Sequence, residues 1–207
     1  MMILKALVIS DIHDNLNNLL KVVKSFNLLD FSHIIFCGDM VSPFAASIIN
    51  KHISNSHVFL GVWGNNEGDR DTIKARINKG ELGGNVIVYE WNGRNVLITH
   101  GTGSIDLTEK LIISLLKSLD YDIIFFGHTH LAKIFLCDKN TREIKAIDVK
   151  AILSNNTEKA YEFNLDKLAI AINPGELCGY LTGIPSIALV DLNGSKIKIR
   201  FIRIDSI

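Results

Sequence analysis

Five strongly apolar runs in this chain are each followed at once by side chains of the kind that bind metal ions. The first run, 4–10, is almost continuously hydrophobic, which is typical of a parallel strand buried on both faces. In sheets of parallel strands, ligand sites lie at the carboxyl ends of the strands. The side chains that follow the five runs are Asp11, His13, Asp39, Asn65, His100, His128 and His130. The pattern therefore predicts one cluster of ligands at one edge of a sheet.

The order of the predicted elements indicates an α/β sandwich of two sheets. The spacing of leucines and valines predicts a helix over 15–26, and Pro43 suits the first turn of another. This strand–helix–strand beginning implies parallel strands with right-handed crossovers. Later the chain becomes rich in strands, with Asn-Gly hairpin signals at 92–93 and 193–194. Two sheets packed face to face, with helices outside, accommodate both halves.

We expect residues 1–207 to form a single domain, because the chain is long enough to bury one sizeable core. The stretch at about 138–166 is polar and charged, and we interpret it as an inserted hairpin or loop that forms a flap or a subunit contact. In the last predicted strand, the alternation of apolar and polar residues slips at Phe201 and Ile202. A β-bulge there would keep both apolar halves facing the core.

Composition narrows the classes of protein to which the chain can belong. Hydrophobic residues make up 47% of the sequence, which excludes a disordered chain. The formal net charge is zero, which argues against a dedicated nucleic-acid-binding protein. The three cysteines are widely spaced, so we expect buried reduced thiols rather than a disulfide scaffold. The first residues lack a signal-peptide pattern and an apolar stretch of membrane-spanning length, so we expect a soluble cytoplasmic protein with no membrane partner.

The spacing of the candidate ligands suits metal binding. Asp11 and His13 lie two residues apart, and at a strand end such residues project to the same side. The two histidines of Gly-His-Thr-His have the same spacing. Asp39 follows Gly38, which allows the backbone to turn sharply, and one carboxylate can bridge two ions. Carboxylate, amide and imidazole groups suit divalent cations, and two such ions roughly 3.5–4 Å apart hydrolyse phosphoesters.

Each motif taken alone has a simpler interpretation. Asp39 could be an ordinary turn carboxylate, Asn65 a turn residue with positive φ, and His100 a hydrogen-bonded interior histidine. The joint pattern decides, because all five motifs follow apolar runs and carry only ligand-type side chains. The three histidines outside these motifs are interpreted as structural or solvated.

The order Asp-x-His, Gly-Asp, Gly-Asn, His-Gly and Gly-His-Thr-His resembles the calcineurin-like metallophosphoesterase superfamily. The short length and the Asn-Pro-Gly at 173–175 resemble its small archaeal and bacterial phosphodiesterase branch. The resemblance covers 1–135 and about 168–204. It implies a hydrolase with two divalent metal ions, Mn²⁺ foremost and Ni²⁺, Fe or Zn²⁺ as alternatives. The implied reaction is hydrolysis of phosphodiesters, with phosphomonoesters as further candidate substrates. The attacking group would be a hydroxide that bridges the metals.

Carried over position by position, the resemblance assigns a role to each candidate ligand. The first metal would be bound by Asp11, His13 and His130, the second by Asn65, His100 and His128, and both by Asp39. The implied catalytic residues are Asn65, His100 and Asp39, and the residues expected to contact substrate are Asn66 and Glu67. The expected binding partner is a small phosphorylated substrate. A homo-oligomer is a further expectation. The alternative is a non-catalytic protein-binding scaffold that keeps the fold, for which the retromer subunit resembling this family is the precedent.

Two positions depart from the family pattern. Many members carry a histidine after Gly-Asn that protonates the leaving group, whereas this chain has Asn66, an amide with no useful pKa. The Asn-Pro-Gly motif continues into Glu176, where the branch usually has serine. Without a general acid at position 66, we expect esters of acidic alcohols, such as aryl phosphodiesters, to be the better substrates.

Overall fold

The computed structural model describes residues 4–26, 30–155 and 159–207. Within these ranges the chain forms thirteen strands, five α-helices and a short 3-10 helix at Ile204–Ser206. The strands are β1 (Leu4–Ile9), β2 (His33–Phe36), β3 (Val58–Gly61), β4 (Glu81–Leu82), β5 (Val86–Trp91), β6 (Arg94–Thr99), β7 (Ile123–Phe125), β8 (Lys133–Asp138), β9 (Ile144–Asp148), β10 (Ala160–Asn164), β11 (Leu168–Asn173), β12 (Ser186–Asn193) and β13 (Lys196–Arg203). The helices are α1 (Leu16–Ser25), α2 (Pro43–His52), α3 (Arg70–Arg76), α4 (Ile105–Ser118) and α5 (Lys150–Ser154).

The strands form two sheets. The seven-stranded sheet has the order β10-β13-β12-β1-β2-β3-β4, and the six-stranded sheet has the order β5-β6-β7-β11-β8-β9. Neighbouring strands from β1 to β4 run parallel, as do β6, β7 and β11. The other pairs are antiparallel. The parallel strands thus form one half of the seven-stranded sheet and the middle of the six-stranded sheet. The candidate ligands follow five of them, β1, β2, β3, β6 and β7.

Three apolar layers stabilise the sandwich. The largest lies between the sheets and includes Val8, Ile35, Ile98 and Phe125. Helices α1, α2 and α3 cover the outer face of the seven-stranded sheet, and α4 covers the outer face of the six-stranded sheet. The central strands are thus buried on both faces, which explains their continuous apolar sequences. The predicted two-sheet α/β sandwich with helices outside is confirmed.

Capping residues define where the first helices begin. The side chain of Asn15 accepts a hydrogen bond from the backbone N–H of Asn18 at the start of α1. The Ser42 side chain accepts from the N–H of Phe44 at the start of α2, and Pro43 occupies the first turn as predicted. Such caps satisfy backbone donors that have no partner within the helix.

The turn between β5 and β6 confirms the first Asn-Gly hairpin signal. Asn92 and Gly93 have φ values of 55° and 73°, as a two-residue turn with two left-handed residues requires. The bulge predicted in the last strand is wrong, because β12 and β13 pair without interruption along the whole of β13. Phe201 packs in the layer between the sheets and Ile202 in the outer layer. Adjacent apolar residues suit this strand, since its sheet is covered on both faces.

The described part of 138–166 belongs to both sheets. Strand β9 pairs with β8, and β10 pairs with β13 at the edge of the other sheet. Val149, Leu153, Tyr161 and Leu165 are buried in the layer between the sheets. The expectation of a flap outside the core is wrong, because this segment crosses from one sheet to the other and buries apolar side chains in doing so.

The three cysteines are buried and unpaired, as predicted. Burial, with a further contribution from the negative charge of Asp11, raises the pKa of the Cys37 thiol. Among the described residues, none of the helices combines the length and the apolarity that crossing a bilayer requires.

His33 joins the two sheets at the amino end of β2, away from the candidate ligands. Its Nε2 lies 3.2 Å from the hydroxyl of Tyr89, and its ring centroid lies 4.9 Å from that of Trp91. The hydroxyl of Ser32 lies 2.8 Å from its Nδ1. Burial lowers the pKa of His33 from 6.5 to about 4. The folded protein therefore holds this imidazole in its neutral form.

Acidification should destabilise the fold through His33. The unfolded chain binds a proton near pH 6.5, whereas the folded chain does so only near pH 4. This contribution to stability is therefore complete above pH 6.5 and is lost as the pH falls toward 4. The unfolding free energy of the unaltered protein should fall between about pH 7 and about pH 4.5. In the variant His33→Gln this fall should be smaller by roughly 2–3 kcal/mol. Urea unfolding at both pH values measures it, with His52→Gln as the control. An unchanged pH dependence in His33→Gln would contradict this role.

Candidate metal centre

Seven side chains from five loops converge at the carboxyl ends of strands from both sheets. Asp11 and His13 follow β1, Asp39 follows β2, and Asn65 follows β3 in the seven-stranded sheet. In the six-stranded sheet the loop after β6 begins with His100, and the loop after β7 carries His128 and His130. The sandwich brings these ends together, so the cluster expected at one sheet edge is shared between two sheets.

The backbone at these strand ends is unusual. Five of the seven residues have left-handed φ values between 42° and 68°, a region that non-glycine residues rarely adopt. These residues are Asp11, His13, Asp39, His128 and His130. Each such residue raises the free energy of the fold by about 1–3 kcal/mol, and such strain concentrates at functional sites. The surrounding contacts must therefore hold these loops firmly.

Two glycines allow the loops to approach closely. Gly38 has a φ of 98°, and a Cβ there would lie 2.6 Å from Nδ1 of His100. A Cβ on Gly64 would lie 2.0 Å from Oδ1 of Asp39. Any larger residue at either position would displace a candidate ligand. The sharp turn expected at Gly38 is confirmed, and the structure adds the steric requirement at Gly64.

The first group of candidate ligands surrounds Oδ1 of Asp11. Nε2 of His130 lies 3.4 Å from this oxygen and Nε2 of His13 lies 3.8 Å from it. Nε2 of His13 also lies 3.3 Å from Oδ2 of Asp39. The other oxygen of Asp11 accepts hydrogen bonds from the hydroxyl of Ser10 and the backbone N–H of His128. Asp11 is therefore oriented with Oδ1 directed at the histidines.

The second group surrounds Oδ1 of Asn65. Nδ1 of His128 lies 2.8 Å and Nε2 of His100 lies 3.0 Å from this amide oxygen. Nε2 of His100 lies 3.4 Å from Oδ2 of Asp39. Oδ2 of Asp39 is thus close to one histidine of each group, which places this carboxylate between them. The two groups and Asp39 account for all seven side chains singled out in the sequence.

This arrangement fits divalent cations. Among the described residues, Asp11 Oδ1 and His13 Nε2 are buried without a hydrogen-bond partner. A buried polar atom without a partner is unfavourable, and two such atoms facing each other form a natural cation site. One ligand atom each from Asp11, His13 and Asp39 lies within 4.8 Å of the other two. The donor set of oxygen and imidazole nitrogen suits the metals expected from the sequence.

Hydrogen bonds orient the histidines from behind. Nδ1 of His100 lies 2.7 Å from the carbonyl oxygen of Cys37, and Nε2 of His128 lies 2.7 Å from that of Gly103. A ring N–H that donates to a carbonyl leaves the opposite nitrogen free for a metal. His100 and His128 therefore present Nε2 and Nδ1, respectively, to the centre.

The negative charge of Asp11 and Asp39 favours a protonated histidine or a bound cation in the cluster. Burial opposes ionisation of Asp39, but hydrogen bonding and charge from His100, with hydrogen bonds from Asn66, lower the pKa of Asp39 well below its ordinary value. Burial likewise opposes protonation of His100, yet Asp39 and Asp11 raise the pKa of His100 above its ordinary value. A proton and a metal ion compete for the same imidazole nitrogen.

Glu176 is a site residue whose role sequence reasoning missed. In sequence it is only a departure from the family pattern, but its side chain is fully buried and its Oε2 lies 2.7 Å from Nδ1 of His130. Its oxygens also accept hydrogen bonds from Thr182 and from the backbone N–H of Leu181. Burial opposes ionisation, but hydrogen bonds from His130, Cys178 and Thr182 bring the pKa of Glu176 down to about 2. Glu176 thus holds His130 with Nε2 directed at Asp11.

Cys178 lies beside the first group of candidate ligands. Its Sγ donates to Oε2 of Glu176 at 3.0 Å, and its ligand atom lies within 4.8 Å of those of His13 and His130. Burial and the hydrogen bond to Glu176 raise the pKa of the Cys178 thiol to about 12. The thiol is therefore protonated and serves as a hydrogen-bond donor in this arrangement.

The structure places Asn66 and Glu67 against the Asp39 loop. Asn66 donates from its backbone N–H to Oδ1 of Asp39 and from its side chain to Oδ2, both at 2.7 Å. The Glu67 carboxylate accepts hydrogen bonds from the N–H groups of Met40, Val41 and Gly64. Both residues thus position the Asp39 loop, and these contacts lend no support to the expectation that Glu67 meets the substrate.

Removing the charge of Glu176 should weaken metal binding. Glu176→Gln keeps the shape of the side chain but no longer fixes His130 through a carboxylate, so affinity for Mn²⁺ should fall roughly tenfold to hundredfold. Isothermal titration calorimetry on metal-free protein measures this, and thermal unfolding checks the fold. The control is Glu162→Gln, since Glu162 is exposed on β10 and forms an ion pair with Lys198 at the surface. Equal affinity in Glu176→Gln and the unaltered protein would show that Glu176 is not needed to orient His130.

Comparisons with known proteins agree with this geometry. A sequence profile of the calcineurin-like phosphoesterase superfamily domain matches residues 4–195. A phosphodiesterase of Methanocaldococcus jannaschii is 31% identical over 187 residues, which cover 89% of this chain and 90% of that protein. Among solved structures, that of a novel archaeal phosphodiesterase is similar at a TM-score of 0.67 and 28% identity, with coverage of 96% of this chain and 100% of that chain.

The fold is also shared with Vps29, a protein whose name does not describe a phosphoesterase. Vps29 of Chaetomium thermophilum is similar at a TM-score of 0.62 and 17% identity, with coverage of 96% of this chain and 87% of that chain. At this identity the likeness extends to the fold alone. The matched profile, in contrast, spans most of the chain and all seven candidate ligands. This chain therefore belongs to the calcineurin-like phosphoesterase superfamily.

Proposed function

We propose that this protein is a metal-dependent phosphodiesterase. The observation that carries the proposal is the pair of buried, unpartnered atoms, Asp11 Oδ1 and His13 Nε2, beside the Asp39 carboxylate. A protein that had lost its metal would be expected to fill or neutralise such atoms. The 31% identical phosphodiesterase over 89% of the chain supports the same reaction class.

The proposed centre holds two divalent ions. The first would be bound by Asp11, His13 and His130, the second by Asn65, His100 and His128, with Asp39 between them. Mn²⁺ is the proposed metal, with Ni²⁺, Fe and Zn²⁺ as alternatives that the donor set also accepts. When bound, the two ions would neutralise charge on the phosphoryl oxygens and lower the pKa of the attacking water.

The residues of the chain set the charge that a substrate meets. Asp11 and Asp39 are the acidic members of the seven-residue set, and the other five are neutral when they act as ligands. Two divalent ions would therefore turn a negative cluster into a positive one that attracts a phosphodiester anion. Asn65 contributes an oxygen without adding charge, which preserves this balance.

The leaving group must depart without an imidazolium donor at position 66. Asn66 donates its amide to Asp39 instead, and its backbone N–H does the same. Arg70 lies nearby, but its guanidinium is over the Trp63 ring and donates to the carbonyl of Gly64. We propose that alcohols with a low pKa are the preferred leaving groups for this reason.

The rival proposal, a protein-binding scaffold without catalysis, is weaker. All seven positions retain side chains able to bind a metal, and the structure brings them within reach of one another. We further propose a single domain over 1–207 and a cytoplasmic location, in keeping with the sequence. A homo-oligomer remains a prediction.

Asp39→Ala should abolish both metal binding and hydrolysis, because Asp39 lies between the two ligand groups and close to a histidine of each. Protein stripped of metal and reconstituted with Mn²⁺ should hydrolyse bis(p-nitrophenyl) phosphate, and the variant should lose at least about a hundredfold in kcat/KM. Metal content is measured by elemental analysis of the same samples. The control is Asp14→Ala, which removes an exposed carboxylate from the loop between β1 and α1 that is not one of the seven candidate ligands.

Two results would contradict the proposal in different ways. Metal-loaded protein that hydrolyses no phosphodiester would overturn the enzymatic function. An Asp39→Ala variant that retains two metal ions per chain would overturn the shared position of Asp39 while leaving the function in place.

Asn66→His should reduce the dependence of the rate on the leaving group. An imidazolium at position 66 can donate a proton, an effect worth about 10²–10⁴-fold where it operates. Rates measured across a series of substituted aryl phosphodiesters give the slope against leaving-group pKa. Asn66→Ala is the matched control, because it also loses the bond to Asp39 but adds no acid. Equal slopes in the two variants would show that position 66 cannot supply the proton.

A further inference from the structure

A groove leads away from the candidate metal centre along α4. Asn65 and His100 line its near end, and it continues between α4 and the start of β5 to Asp120 and Tyr121. Its volume is about 770 Å³. The face of α4 that lines it, from Thr108 to Ser118, spans about 15 Å at the usual helical rise. The groove is therefore continuous with the ligands and larger than a phosphate group needs.

The groove exists because β5 is the edge of its sheet. Helix α4 packs against the layer built on β6, β7, β8 and β11, which leaves the outer side of β5 uncovered. On one wall Val86 is 51% exposed, and on the other Leu111 is 44% exposed. Trp63 and Tyr121 add aromatic rings to the lining. Large apolar side chains on facing walls indicate a surface that a ligand covers.

The charge of the lining limits what can bind. Among the described residues that line the groove, Asp120 at the far end is the charged one, and none is lysine or arginine. A nucleic-acid strand would bring further phosphates into the groove, where Asp120 would repel them and no cation would compensate. A substituent without charge would not be repelled by Asp120.

We propose that this groove, the α4 groove, binds a neutral and largely apolar substituent of the phosphodiester, of the size of an aryl group or a nucleoside. The inference rests on the proposed function, because it assumes that the phosphate lies at the metal centre. The substrate class is then a single phosphodiester with an organic substituent that extends past His100 toward Leu111. Polynucleotides and inorganic phosphate chains are excluded by the same lining.

Aromatic substituents suit the groove best. The Trp63 ring is held by the Arg70 guanidinium, which lies 5.6 Å from its centroid. A ring fixed in this way offers a flat surface on which an aromatic substituent can stack. Trp91, the other tryptophan, is buried in the core, so quenching of tryptophan fluorescence by an aromatic ligand would report on Trp63.

The test compares two phosphonates that are not hydrolysed. Mn²⁺-loaded protein is titrated calorimetrically with phenylphosphonate and with methylphosphonate, which share the anionic group and differ in the substituent. Because binding strengthens with the apolar area removed from water, phenylphosphonate should bind roughly tenfold more tightly. Val86→Asn and Leu111→Asn should each reduce this preference to roughly threefold or less while leaving methylphosphonate affinity unchanged.

Val88→Asn is the matched control. Val88 lies two residues from Val86 on the same strand and is 62% exposed, but it does not line the groove. It should keep the full preference for phenylphosphonate. An equal loss in the Val86 and Val88 variants would overturn the inference, as would tighter binding of an oligothymidylate than of phenylphosphonate.

The outcomes separate this inference from the proposed function. Equal affinity for the two phosphonates, in protein that hydrolyses aryl phosphodiesters, would overturn the α4 groove and leave the function standing. Absence of both hydrolysis and phosphonate binding would overturn the function and the groove together. Loss of a protein dimer in Val86→Asn, seen by light scattering with no change in phenylphosphonate affinity, would assign the groove to a second copy of the chain instead.

Discussion

The carboxylate of Asp39 is the interaction on which the candidate centre depends. It is 1% exposed, and its Oδ2 lies 3.3 Å from His13 and 3.4 Å from His100, which come from different sheets. Burying a charge is unfavourable unless it is paired and hydrogen-bonded. Here the hydrogen bonds of Asn66 and the nearby imidazoles meet part of that requirement, and bound cations would meet the rest. The same contact joins the two sheets at their carboxyl ends.

The remaining loops are held around Asp39 by contacts behind the ligands. Left-handed backbone at Asp11 and His128 is unfavourable by itself, and it persists because neighbouring groups leave no alternative. Asn173 illustrates this, since its side chain donates to the carbonyl of Gly127 and to the hydroxyl of Thr129. Glu176, three residues further along the chain, orients His130. Precise placement of ligands thus depends on a buried polar network as much as on the ligands.

The proposed chemistry and the proposed substrate selection use separate parts of this molecule. The cluster at the strand ends is polar and lies within the part of the chain that the family profile matches. The α4 groove is apolar and is assembled from the edge strand β5, the helix α4 and Trp63. In the proposed function, the centre would act on the phosphate and the α4 groove would select the substituent. Variation of α4 or β5 would change selectivity without altering the metal ligands.

The sequence by itself determined the sandwich, the helix capped by Asn15, the helix beginning at Pro43, and the seven ligand-type residues. These follow from local periodicity and from residues placed directly after buried strands. Other features depended on tertiary contacts that no local pattern encodes. The segment at 138–166 is polar in sequence, yet β9 and β10 join different sheets because unpaired edges were available there. Phe201 and Ile202 face two buried layers, so no bulge is needed. Glu176 lies 46 residues from His130 in the chain, and the α4 groove combines residues from several loops. Only the packing of one sheet on the other brought these groups together, because their interactions are between residues distant in sequence.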